Sequence, residues 1–118
     1  MLVEKPTKMN QFRAWALVAT AVAVSTAGFA AAKGDPEKGK AVFEQCGICH
    51  NSDSEEKKNG LAPGLKGLFK RDRMGNNKKP TEANVRAQID DGGNGMPAYK
   101  DLLTDGEKDD LIAYLKTL

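Results

Sequence analysis

The chain has one histidine and two cysteines in 118 residues, and that scarcity excludes a great deal. Without a second cysteine pair, a four-ligand zinc site would have to recruit distant carboxylates. With no spare histidine or cysteine, no nucleophile or acid–base constellation assembles, so the residues do not point to an enzyme. A second imidazole ligand for any bound metal is equally absent. No segment alternates apolar and polar residues as a half-buried strand does. No internal repeat is present. From Lys57 to Lys79 no base is interleaved with aromatic side chains beyond Phe69, which removes the stacking platforms that nucleic-acid binding uses.

What is there is concentrated. Both cysteines and the histidine fall in one run, Cys46-Gly47-Ile48-Cys49-His50. Two thiols separated by two residues and followed at once by an imidazole form the attachment pattern of a c-type haem. The thiols add to the vinyl groups and the imidazole coordinates the iron. A redox dithiol needs a strand–helix unit around it, and the residues before Cys46 have a helical pattern. A disulfide across two residues closes too short a loop to stabilise much. The run therefore predicts a single haem c, bound covalently through Cys46 and Cys49, with His50 on its iron.

The two ends differ in kind. Lys5, Lys8 and Arg13 precede an apolar run from Ala14 to Val24, and a small-residue segment follows with Ala30-x-Ala32. This is the pattern of an export signal. It predicts passage to the periplasm, with cleavage after Ala30 or Ala32. Ala14 to Ala32 is also 19 residues long, enough to cross a bilayer as an uncleaved anchor. Residues 1–32 are accordingly read as a leader and residues 33–118 as one domain of 86 residues. A domain this small rarely has sufficient core of its own, so the haem is expected to supply the missing apolar surface.

The leader carries three bases and one acid, leaving fifteen of each in residues 33–118. Their distribution is uneven. Eight bases stand against Asp72 alone between Lys57 and Lys79, whereas Asp101 to Asp110 holds five acids and Lys108. The simplest reading of the basic stretch is a solvated face; as a field it can also steer a partner's approach.

Three helices are expected. Asp35-Pro36 is a cap followed by a first-turn proline. The helix it starts carries Gly39, Val42 and Phe43 on one face and Cys46 at its C-terminal end. Thr81 starts a second helix, which Gly92-Gly93 stops near Asp91. Thr104 and Glu107 form a capping box for the third, on which Leu111, Ile112, Tyr114, Leu115 and Leu118 recur at helical spacing. Ser52 to Gly60 reads as a solvent loop, and Leu65, Leu68 and Phe69 as a short turn packing inward. The fold class is all-α, three to four short helices around one haem.

The sixth iron position decides between electron transfer and reaction chemistry. Met1 and Met9 lie in the leader. Met74 sits in a basic, Gly- and Asn-rich segment expected to be exposed. Met96 lies in Gly95-Met96-Pro97 between two helices, where glycine permits close approach and proline stiffens the loop. The expected metal ligands are His50 and Met96.

With these residues on the page, the stretch from Asp35 to Leu118 resembles a class I c-type cytochrome, the small bacterial monohaem kind. Gly39, Phe43, Cys46, Cys49 and His50 match the first-helix signature. Pro63-Gly64 and Leu65 match the loop under the haem, Met96-Pro97 the distal ligand, and Asp110 to Leu115 the last helix. The resemblance implies that Gly39 and Phe43 meet the last helix near Tyr114. It also implies that the Pro63 carbonyl orients His50, and that Leu65 and Leu68 pack on haem. Tyr99 has two compatible places, near a propionate or the methionine loop, or half-buried in the core. The implied function is a periplasmic one-electron carrier between redox protein partners. The alternative is a dedicated subunit of a larger dehydrogenase or oxidase, and a membrane-bound redox complex is a compatible partner in either case.

Overall fold

Among the described residues three helices enclose the core, and each begins where a side-chain oxygen can satisfy an otherwise unpaired backbone N–H. The computed structural model describes residues 33–118; the expected leader lies outside them. Helix α1, Pro36–Phe43, starts at Asp35, whose carboxylate accepts from the Glu37 N–H at 2.9 Å. A 3-10 turn occupies Leu68–Lys70. Helix α2, Glu82–Asp91, is capped by Thr81 through the Asn84 N–H at 3.1 Å. Helix α3, Asp105–Leu115, has the full capping box, Thr104 Oγ1 with the Glu107 N–H and Glu107 Oε2 with the Thr104 N–H. Among the described residues there is no strand, only isolated bridges between Lys58 and Ala62 and between Gly93 and Met96. The all-α expectation holds. No described helix is long and apolar enough to cross a membrane.

The core is Phe43, Leu68, Val85, Ile89, Leu103, Leu111, Ile112 and Leu115. Helices α1 and α3 cross at Gly39, where a β-carbon would collide with the Asp110 carbonyl oxygen and lie 2.8 Å from Tyr114 Cβ. The crossing is fastened at both ends. The Asp35 N–H donates to Asp110 Oδ1 at 2.7 Å, and the Phe43 and Tyr114 rings stand 5.3 Å apart, tilted at 54°.

Several expectations need correction. Helix α1 ends at Phe43, so Cys46 lies beyond it, in a succession of turns. The Glu44 N–H already bonds three residues back, to Ala41, and the chain tightens from there. Helix α3 stops at Leu115, and Leu118 lies past its end, accepting from the Gly67 N–H at 2.9 Å. Met74 is half-buried against the core, not exposed. The basic stretch is not wholly a solvated face. Arg71 donates to the carbonyls of Gly64 and Lys66, both at 2.7 Å, and Lys58 Nζ donates to the Gly47 carbonyl. Those two bases satisfy backbone acceptors.

Candidate functional site

The turns after α1 bring the attachment run into one compact unit. The Cys46 and Gly47 N–H groups both donate to the Phe43 carbonyl at 2.8 Å; those of Cys49 and His50 donate to the Cys46 carbonyl at 3.1 and 2.9 Å. Both cysteines are half-buried and unpaired, and Cys46 packs against the core. Burial pushes the Cys46 thiol above its ordinary range. Burial first, then the charges of Cys46 and Cys49, push the Tyr99 phenol up. Tyr99 is half-buried and packs against the core. Thioether formation would remove those charges and their part of the shift.

His50 faces the loop that follows. Its Nδ1 lies 2.7 Å from the Pro63 carbonyl oxygen. A carbonyl can only accept, so Nδ1 carries the proton and Nε2 keeps its lone pair for a metal. The next residues hold the two segments in parallel, with the Leu65 N–H donating to the Asn51 carbonyl at 2.8 Å. Gly64 is what lets the loop lie so close, because a β-carbon there would strike the Ser54 carbonyl oxygen. Leu65 is half-buried and Leu68 buried, both against the core that also receives Cys46 and Tyr99.

Met96 is held by a tight turn. Gly93 and Met96 exchange backbone hydrogen bonds at 2.9 and 3.0 Å, with Asn94 at φ 50° and Gly95 at φ 89° between them. Two successive positive φ values are what Asn-Gly tolerates. The Asn94-Gly95 dipeptide is the local signal for this ordered turn. The loop then folds over Gly92, at φ 62°, where a β-carbon would collide with the Met96 carbonyl oxygen and stand 2.6 Å from that of Pro97. Gly92→Ala is expected to cost about 1–3 kcal/mol through strain at this position and to shift Met96. Guanidinium unfolding measures the first effect and the ferric visible spectrum the second.

Two side chains about this loop escaped the sequence reading. Gln88 Nε2 lies 3.0 Å from the Gly92 carbonyl and 3.6 Å from Met96 Sδ, and Gln88 Oε1 accepts from Asn76 Nδ2 at 3.0 Å. Lys108 is buried, its Nζ 2.6 Å from Asp90 Oδ1 and donating to the Lys100 carbonyl at 2.9 Å. Both were legible by periodicity. Gln88 follows Val85 by three residues on α2, and Lys108 precedes Leu111, Ile112 and Leu115 by three, four and seven on α3, which puts each on a buried stripe.

This donor set fits a covalent haem: one imidazole with Nε2 uncommitted, one thioether on a fastened loop and two unpaired thiols at the attachment spacing. Zinc is served less well, since no three His, Cys, Asp or Glu side chains cluster as ligands among the described residues. The comparisons agree with the haem reading. The family model described as Cytochrome c matches residues 36–118. Cytochrome c-554 of Methylosinus trichosporium is 44% identical over 52 residues, 44% of this chain and 39% of that protein. The match therefore spans well under half of that relative's length. The crystal structure of cytochrome c6 from the diatom Phaeodactylum tricornutum superposes with a TM-score of 0.55 at 26% identity, covering 71% of this chain and 93% of that one.

Proposed function

The chain belongs to the cytochrome c family, and from that premise we propose that it is a periplasmic one-electron carrier whose haem iron is held between His50 and Met96. The family places the chain among haem electron carriers, with haem c attached through Cys46 and Cys49. When bound, the haem supplies the one-electron chemistry. The orientation of His50 carries the finer reading: with Nδ1 committed to Pro63, only Nε2 is left for an axial position. Met96 offers the sulfur for the other, its backbone tied to Gly93 and its thioether beside Gln88.

Holding the iron from both sides, His50 and Met96 would keep the coordination constant through a change of charge and deny a site to oxygen or peroxide. A thioether ligand also favours the ferrous state relative to a second imidazole. Leu65 and Leu68, two and five residues past Pro63, would supply apolar surface to the bound group. The basic, apolar and small-residue order of residues 1–32 supports export. Redox proteins are the partners such a carrier requires.

Replacing Met96 tests the assignment. M96A is expected to lose the methionine–iron charge-transfer band of the ferric protein. Its midpoint potential should fall on the order of 0.1 V, a fraction of the ~0.8 V that axial ligands span. An unchanged spectrum would hand the ligand role to another group. A redox titration followed by absorbance reads both effects.

A further inference from the structure

Lys108 is the only charged side chain that is buried among the described residues, at 4% exposure. It joins three parts of the chain. Helix α3 provides the ammonium, α2 provides Asp90 Oδ1 at 2.6 Å, and the segment after Met96 provides the Lys100 carbonyl at 2.9 Å. Asp90 Oδ1 is itself shut off from solvent and has no aligned hydrogen bond, so the ammonium is its compensation. Around this point the same segment is laid along the end of α2. The Tyr99 N–H donates to the Ile89 carbonyl at 2.9 Å and the Lys100 N–H to the Asp90 carbonyl at 3.2 Å. Leu103, four residues past Tyr99 and bonded back to it, enters the core.

Resting on the reading of Met96 as the distal ligand, we propose that Lys108, paired with Asp90, is a positioning residue that clamps the methionine loop and holds the sulfur at the iron. Gly93 fastens the loop before Met96, and Lys108 ties it down at Lys100, four residues after. A buried ion pair is weak support for net stability, since an apolar side chain of similar volume often does as well. A methionine at position 108 would fill the same space, yet it would leave Asp90 Oδ1 without its counter-charge and the Lys100 carbonyl without its donor. What only the ammonium supplies is the tie between carboxylate, carbonyl and α3. Losing that tie leaves the downstream half of the loop held to α2 only by the Tyr99 and Lys100 N–H groups, and an outside ligand then competes with Met96 for a larger open population.

The test is imidazole binding to the ferric holoprotein, titrated optically. K108M is expected to bind imidazole at least about tenfold more tightly than the parent, as a rise in the open population requires, with a weakened methionine–iron band. K108R should recover most of the parental affinity. I112V, a core change on the same helix face away from the loop, controls for general loosening and should leave the affinity near the parental value. If K108M lowers the unfolding midpoint but leaves imidazole affinity at the parental value, Lys108 is structural and the clamp is wrong. Should K108M yield no holoprotein, D90N keeps the lysine and the volume and is read in the same assay; parental affinity there also overturns the proposal. M96A separates the two readings. Should M96A leave the spectrum unchanged, the ligand assignment falls and the clamp with it. A lost band in M96A beside parental affinity in K108M removes the clamp alone.

Discussion

The double variant C46A/C49A, purified without haem, is expected to show no cooperative thermal transition and to have the far-ultraviolet dichroism of a largely unfolded chain. The three helices are 8, 10 and 11 residues long. Isolated helices shorter than about 12–15 residues are marginal in water, so none persists unless tertiary packing holds it. That packing is thin. Among the described residues eight apolar side chains are buried, and no large side chain is below 2% exposure. Phe43 and Leu68 are in this core, Cys46, Leu65 and Tyr99 pack against its edge, and the same segments frame the attachment run. A haem attached at Cys46 and Cys49 would thus be bounded by residues that also form the core, and its apolar surface would complete that core. No disulfide is available to stand in for it, because both thiols serve the attachment. A cooperative melting transition in the haem-free protein would contradict this account. An intermediate result, helical signal without a sharp transition, would mean that α1 and α3 pair on their own.

How far the sequence spoke depended on whether a feature was local. The Asp35, Thr81 and Thr104 caps, the stop at Gly92 and the buried stripe of α3 were all legible. Each arises from interactions within a few residues of the chain, and the capping box appears as expected. The haem run was legible because its chemistry requires adjacent residues. The Asn94-Gly95 turn was local too and could have been read from its dipeptide.

Other features depended on which segments meet. The turns after Phe43 replace the last turn of a longer helix, and nothing in the residues 44–46 announces that. Met74 lay in a polar, basic segment, yet its side chain reaches the core. Arg71 and Lys58 looked like members of a solvated charge run, and only the approach of the Gly64, Lys66 and Gly47 carbonyls turns them inward. Lys108 shows the limit most clearly: its place on a buried stripe was readable, but the carboxylate and the carbonyl that make burial tolerable come from α2 and the methionine loop. A charge on an apolar stripe is thus a question that the sequence poses and the tertiary structure answers.

Gly39→Ala is expected to cause the largest loss of stability of any single substitution named here. The added β-carbon would collide with the Asp110 carbonyl oxygen, lie 2.5 Å from the carbonyl carbon and stand 2.8 Å from Tyr114 Cβ. The first two are backbone atoms of α3, so no rotamer change relieves them and the helices must separate. Separation stretches the Asp35–Asp110 bond, now 2.7 Å, and parts the Phe43 and Tyr114 rings. Overpacking costs about 1–3 kcal/mol and sometimes more, and the rigidity of the obstruction puts this site at or beyond the upper end. Against a total stability on the order of 5–15 kcal/mol for a native domain, that is a large share. Guanidinium unfolding of the holoprotein should show the midpoint displaced to lower denaturant with little change in slope. Lys40→Ala, at an exposed position on the same helix, should remain within about 0.5 kcal/mol of the parent. Equal midpoints for the two variants would mean that α1 and α3 do not meet at Gly39 as described.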